Sequence, residues 1–226
     1  MIIKKYLSTI TDIQSPIPGV YTLTFECQKK FKFYPGQFLH IAIDSYDPSM
    51  QWPDSRCFSM QSAPSDQVLK ITYTVVGKYT QRMSNELKVD QKVWLKLPYG
   101  DLFQRGLGKD NCVFIAGGTG ITPFLSLLND SAFIEYPNPT LYLGFKNKDY
   151  NIYSDGLEKA KSINPSLVTN ILYEDEQGRL DIDQIFNKNG RTNYYISGPP
   201  VMIKIFRQYL LKQGLEEEHI VIDDWE

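Results

Sequence analysis

Val113-Phe-Ile-Ala-Gly-Gly-Thr-Gly-Ile-Thr-Pro123 decides how this chain is read. Four apolar residues in a row, rich in β-branched and aromatic types, suit a strand buried on both faces. Gly117, Gly118 and Gly120 let the backbone turn sharply and approach a phosphate closely. Thr122 is placed to cap a helix, and Pro123 suits its first position. The free N–H groups and positive end of that helix then form an anion site. Two readings remain open at this point: a dinucleotide loop, with Thr119 among its members, or an ordinary glycine turn of an α/β sheet.

Downstream, the apolar runs Thr140–Gly144, Leu167–Tyr173, Asn193–Ser197 and His219–Ile222 alternate with helical stretches at Pro123–Leu128, Asp155–Ile163, Asp181–Phe186 and Val201–Gln213. Strand–helix alternation predicts a parallel sheet covered by helices. Upstream the rhythm differs. Val20–Cys27, Gln37–Ile43, Val68–Val76 and Lys92–Leu97 are β-rich, and Pro16, Pro18-Gly19, Pro35-Gly36 and Pro64 separate them. Short strands with frequent turns predict an antiparallel sandwich or barrel, with Gln81–Leu87 its one good helix. The polar, glycine-containing Gln104–Asp110 reads as the boundary between domains 1–105 and 106–226.

The 226 residues allow one large or two compact domains. With 24 basic and 26 acidic residues the net charge is −2, which argues against broad nucleic-acid binding. That average hides a split: residues 1–105 carry 13 basic and 9 acidic groups, whereas 106–226 carry 11 and 17. The split reads either as ordinary solvated surface or as a basic first domain that attracts an acidic protein partner. Three scattered cysteines and two histidines exclude a four-cysteine iron–sulfur cluster within the chain, and no metal site is expected. Neither a secretory pattern nor a membrane-length apolar run is visible, so a soluble cytoplasmic protein, expected to be a monomer, is the reading.

Two further stretches carry chemistry. Tyr194-Tyr-Ile-Ser-Gly-Pro-Pro-Val-Met202 is a second strand running into a turn and helix. Two strand ends opening at one sheet edge make a ligand crevice; the same residues also suit a rigid βα turn. In Arg56-Cys-Phe-Ser59 an arginine clamps phosphate, an aromatic covers a flat ring, and a serine hydrogen-bonds a ring nitrogen. Alone, these four residues fit any strand with one charged edge residue.

Together and in this order, the motifs resemble the ferredoxin–NADP reductase superfamily of flavoprotein reductases. Arg56-Cys-Phe-Ser59 is similar to its RxYS flavin motif, with Phe for Tyr. Gly77-Lys-Tyr-Thr80 resembles its GGxxS motif, with Val76 at the first glycine and Thr80 at the serine. Pro98-Tyr-Gly-Asp-Leu-Phe103 resembles the PYGxF turn, Gly117–Pro123 the nicotinamide-dinucleotide loop, and Ser197-Gly-Pro-Pro200 the CGPP motif with Ser for Cys. The resemblance spans roughly Ile3 to Trp225.

It implies β plus α/β architecture: an antiparallel six-stranded Greek-key β-barrel for FAD, then a five-stranded parallel α/β Rossmann-like domain for NAD(P). It implies Arg56 on the FAD pyrophosphate, Phe58 along the isoalloxazine, Ser59 near flavin N5, and Tyr73, Thr74 and Val75 beside the cofactor. Gly77 and Thr80 would meet the pyrophosphate at a helix start. Gly117, Gly118, Thr119, Gly120, Thr122 and Pro123, with Ser197, Gly198, Pro199, Pro200 and Met202, would hold the nicotinamide nucleotide. Glu174 after the third parallel strand favours NADH over NADPH, because a carboxylate repels a 2′-phosphate; Lys146 and Lys148 nearby pull the other way. Trp225 is a candidate flavin-stacking residue, and Asp224 or Glu226 a candidate proton relay. The implied activity is hydride transfer from NAD(P)H to FAD and electron delivery to a separate acceptor, an acidic electron carrier such as ferredoxin or flavodoxin, or an oxygenase component. Two alternatives stay open: a reductase using free flavin as substrate, and a non-catalytic dinucleotide-binding regulator.

Overall fold

The computed structural model describes residues 2–223. The first strand, β1 (Lys4–Ile17), was not expected from sequence. Its Tyr6, Ser8 and Ile10 face inward while Lys5, Leu7 and Thr9 face out, but register shifts after Ile10 break the alternation. The expected strands follow as β2 (Val20–Glu26), β3 (Phe38–Ala42), β4 (Arg56–Ser59), β5 (Leu69–Thr74) and β6 (Lys92–Tyr99). They form one antiparallel sheet in the order β4-β3-β6-β1-β2-β5. The two edge strands then approach each other: the Gln61 amide donates to the Lys70 carbonyl at 2.8 Å. The sheet is therefore a six-stranded near-barrel, filled by Phe25, Leu39, Ile41, Ile71 and Leu95.

One helix, α1 (Lys78–Glu86), caps this barrel and starts three residues before the expected Gln81. Thr80 explains the early start. Its hydroxyl accepts from the Val76 and Gly77 amides at 3.0 and 3.1 Å, a capping box that satisfies donors at the helix start.

The second half alternates as expected: β7 (Val113–Gly117), α2 (Thr122–Leu128), β8 (Thr140–Phe145), α3 (Ser154–Ile163), β9 (Val168–Tyr173), the single turn α4 (Glu174–Gln177), α5 (Ile182–Asn189), β10 (Tyr194–Ser197), α6 (Pro200–Lys212) and β11 (Ile220–Ile222). The five strands are parallel, in the order β11-β10-β7-β8-β9. One face packs a core including Phe114, Phe124 and Leu143, and the other a core including Ile115, Ile196 and Phe206. Leu102 joins the first of these cores although it lies before residue 105, and Phe103 packs against Tyr195 at 5.3 Å. The fully buried Ser126 hydroxyl of α2 donates to the Ser62 carbonyl at 2.8 Å, tying the two units together. Among the described residues no helix is long and apolar enough to cross a membrane.

Candidate functional site

β7 and β10 are hydrogen-bonded neighbours with Ala116 opposite Ser197, so their two turns leave the same sheet edge side by side. The turns touch backbone to backbone. A Cβ on Gly120 would lie 2.6 Å from both the Gly198 Cα and the Ser197 carbonyl oxygen. One on Gly198 would lie 2.9 Å from the Gly117 amide, and φ there is +146°, so glycine is required twice over. Gly118 also has positive φ, +55°, but its Cβ position faces open space.

Thr122 does not cap α2, contrary to the sequence expectation. A 3₁₀ turn over Gly118–Ile121 runs straight into the helix, so the helical start, with its free amides, moves back to the glycines. The Thr122 hydroxyl instead donates to the Thr119 carbonyl at 3.0 Å. Pro123 does occupy the first positions of α2.

A cleft of about 1830 Å³ runs between the two units. That exceeds the roughly 300–1,000 Å³ of a single small-molecule pocket. Phe58 and Tyr73 give it an aromatic wall; their rings lie 5.6 Å apart, and Tyr21 stacks behind Tyr73 at 5.5 Å. Burial pushes the Tyr73 phenol well above its ordinary pKa, so it stays neutral.

At the base of the cleft stands Asp223, the first residue after β11. Its Oδ2 accepts from Ser197 Oγ at 3.0 Å and from Ser59 Oγ at 3.4 Å. One carboxylate thus joins the two serines singled out in sequence, one from each unit. Both serines are only 2% exposed. The arrangement can hold a flat aromatic ring against the barrel, two phosphate groups at separate turns, and a proton between them.

The profile of the oxidoreductase NAD-binding domain family matches residues 114–208. Methane monooxygenase component C of Methylosinus trichosporium is 30% identical over 67% of this chain and 44% of its own length. The ferredoxin–NAD(P)(+) reductase component of the Pseudomonas putida naphthalene 1,2-dioxygenase system is 24% identical over 95% of this chain and 67% of its own. The Neisseria gonorrhoeae ferredoxin NADP+ reductase, solved with bound FAD and NADP, superposes with a TM-score of 0.78 at 19% identity, covering 97% of this chain and 96% of that one.

Residues 114–208 match the oxidoreductase NAD-binding domain family, and the fold is that of ferredoxin–NADP reductases.

The chain spans less than half of the first of these relatives and about two thirds of the second. On this fold the expected residues fall into groups. Phe58, Tyr73, Thr74, Thr80, Gly117, Gly118, Thr119, Gly120, Thr122, Glu174, Ser197, Gly198, Pro199, Pro200 and Met202 line the cleft. Ser59 sits directly behind the wall, against Asp223. Thr80 lines the cleft at the start of α1, but its hydroxyl is engaged by the Val76, Gly77 loop. Val75, Gly77 and Pro123 do not reach the cleft: Val75 packs on the barrel core, Gly77 is the N-cap of α1, and Pro123 is buried in α2.

Arg56 lies outside the cleft wall, paired with Asp54 at 2.7 Å and 4.9 Å over the Tyr79 ring of α1. Glu174 does line the cleft, but Arg179 neutralises it at 2.7 Å, and Lys148 holds Glu176 at 2.8 Å. Cys57, beside the flavin motif, has its thiol pKa pushed up, chiefly by burial, which suits a packed residue rather than a reactive one. Asp224, Trp225 and Glu226 lie outside the described residues. Sequence reasoning missed Asp223, Arg179 and Arg105, all of which line the cleft.

Proposed function

We propose that this chain is a flavoprotein oxidoreductase that takes reducing equivalents from NADH onto bound FAD and passes them to a separate protein acceptor. The meeting of Ser59 and Ser197 on Asp223, beneath an aromatic wall and beside two backbone-contacting glycine turns, is the observation that carries this reading. FAD, when bound, supplies the conversion from a two-electron donor to one-electron output.

The residues present fit that group. The start of α1 offers backbone amides with no acidic side chain in its first turn, and Arg56, which lies over Tyr79 of that turn, would have to leave Asp54 to meet a pyrophosphate there. Phe58 and Tyr73 give the flat ring its wall. The amides from Gly118 onward would take the second pyrophosphate, and Thr122 and Ser197, which both line the cleft, would be the residues to meet the nicotinamide. Asp223 holds both serine hydroxyls in fixed orientation and is a carboxylate able to store a proton there. Most of the catalytic work is therefore orientation and exclusion of water. Glu174 supports NADH as donor, its repulsion of a 2′-phosphate tempered by Arg179. The relatives named as components of oxygenase systems, one of them a reductase component, support a protein acceptor.

A second reading, reduction of free flavin as a substrate, draws on one observation: Arg56 is engaged by Asp54 rather than facing the cleft. A visible spectrum of purified protein before and after NADH separates the two. A yellow protein bleached by NADH is the expected result. Colourless protein that reduces added flavin supports the second reading, and nucleotide binding without any flavin reduction overturns both.

A further inference from the structure

The parallel sheet has two edges, β11 and β9. β11 is three residues long, and so short an edge offers little to pair with. β9 is different. It runs Val168-Thr-Asn-Ile-Leu-Tyr173 with no charge and no proline, and Val168 is more than half exposed. Edge strands are ordinarily blunted by charge, proline or a bulge; the register of β9 with β8 is unbroken, so it has none of the three.

Its backbone groups alternate in direction. The Val168 amide donates inward to the Pro139 carbonyl at 3.0 Å, and the register puts Asn170 and Leu172 in the same phase. Leu167, Thr169, Ile171 and Tyr173 therefore turn their amides to the open edge. The two outer ones are closed: Leu167 donates to the Asn164 carbonyl at 3.1 Å and Tyr173 to Gln177 Oε1 at 2.7 Å. Among the described residues the amides of Thr169 and Ile171 and the side chain of Asn170 have no partner.

Those free groups are symmetric about Asn170. A second copy of the strand, antiparallel and related by a two-fold axis at Asn170, sets Thr169 of each copy against Ile171 of the other, and both pairs exchange both backbone bonds. Moving the axis one residue either way sets Thr169 against Tyr173, or Ile171 against Leu167, whose amides are taken. The axis at Asn170 also places Val168 against Leu172 and Asn170 against its own copy, with Cβ atoms about 4.5–5.5 Å apart. An amide side chain holds both donor and acceptor, so two asparagines satisfy each other. Charge fits the same orientation. Lys159 and Lys161 lead into the strand with no carboxylate between Lys159 and Tyr173, and Glu174, Asp175 and Glu176 follow it. Antiparallel copies bring the acidic end of each to the basic end of the other.

We propose that two copies of this chain pair through β9, joining their five-stranded sheets across a two-fold axis, in place of the monomer expected from sequence. The pairing does not depend on the reductase reading. A contact of this kind belongs with weak interfaces, below roughly 1,200 Å².

Sedimentation velocity of the wild-type protein should show monomer at about 1 µM and dimer at about 200 µM. Thr169→Pro removes one edge amide and no bond of the β8–β9 ladder, which an open edge tolerates; dimerisation should weaken about tenfold or more. Where that variant fails to fold, Asn170→Asp serves: it sets two carboxylates on the axis and should weaken the dimer about five- to tenfold at neutral pH. Asn170→Cys gives a positive readout. With copper(II)–phenanthroline as oxidant it should form a disulfide-linked dimer, whereas Thr169→Cys and the wild type, with its own Cys27, Cys57 and Cys112, should not. Wild type that stays monomeric at about 200 µM, or a dimer unchanged by Thr169→Pro and Asn170→Asp, overturns the pairing. Cross-linking through position 169 as fast as through 170 overturns the two-fold register.

Discussion

Replacing Gly120 by alanine should separate nucleotide use from flavin retention. The new Cβ would stand 2.6 Å from Gly198 Cα and the Ser197 carbonyl, both backbone atoms that cannot rotate away. Reaching an ordinary 3.4 Å contact needs the two turns to part by about 0.8 Å. Ser197 Oγ holds Asp223 at 3.0 Å, so a shift of that size breaks or lengthens the bond. A misplacement near 1 Å at reacting groups costs about 10²-fold in rate. Overpacking costs about 1–3 kcal/mol, or roughly 2–12 °C in Tm for a chain of this size. Stopped-flow loss of the flavin band after NADH mixing reads the rate, and flavin absorbance per protein reads occupancy. The expected result is a rate about a hundredfold lower with wild-type FAD content, since no barrel residue is touched. A rate within twofold at unchanged Tm would refute the backbone contact, and loss of FAD would show that the turns serve the other nucleotide.

Asp223→Asn keeps the shape but removes the charge that two serine hydroxyls share; the reduction rate should fall about ten- to hundredfold, the worth of a charge-assisted bond, and a pH profile identical to wild type would count against Asp223 as the proton store. Arg56→Ala should yield folded protein stripped of FAD, because the side chain is half exposed and contributes little to the core; full occupancy after purification refutes its pyrophosphate role. Glu174→Ala should lower KM for NADPH roughly fivefold by freeing Arg179, the effect of about 1 kcal/mol at an exposed charge contact; equal KM values before and after would remove Glu174 from the ribose site. Ser126→Ala leaves the buried Ser62 carbonyl without its donor and should cost about 1–3 kcal/mol, read as a lower Tm; an unchanged melt would mean the two units are held elsewhere.

The parallel half was legible because four of its five strands, all but the edge strand β9, are largely buried and read as apolar runs. All five expected strands overlap those found. β1 was not, because its outward positions mix Lys5, Leu7 and Thr9, its inward ones include Ser8, and shifts after Ile10 break the two-residue period. The Thr122 cap failed because a 3₁₀ turn can extend a helix backwards through glycines that sequence rules mark as loop. Asp223 stayed hidden although Asp224 and Glu226 beside it were considered. Only the pairing of Ile196 with Ile222 puts residue 223 level with Ser197, and strand register between elements 26 residues apart leaves no trace in a single sequence. The Glu174–Arg179 pair, five residues apart across a helical turn, has the same character.

The site depends on how the two units dock, because no one of them completes it. Ser59 comes from the barrel, whereas Ser197 and Asp223 come from the parallel sheet, so the Ser59–Asp223 contact exists only while the units hold their relative position. The exposed Lys159–Asp66 pair, 3.8 Å apart, contributes little to that position. The Ser126–Ser62 bond is buried, and Ser62 lies three residues beyond Ser59 on the same stretch, so it anchors the very segment whose placement matters. The opposite net charges of the halves, 13 basic against 9 acidic and 11 against 17, favour that docking over longer range.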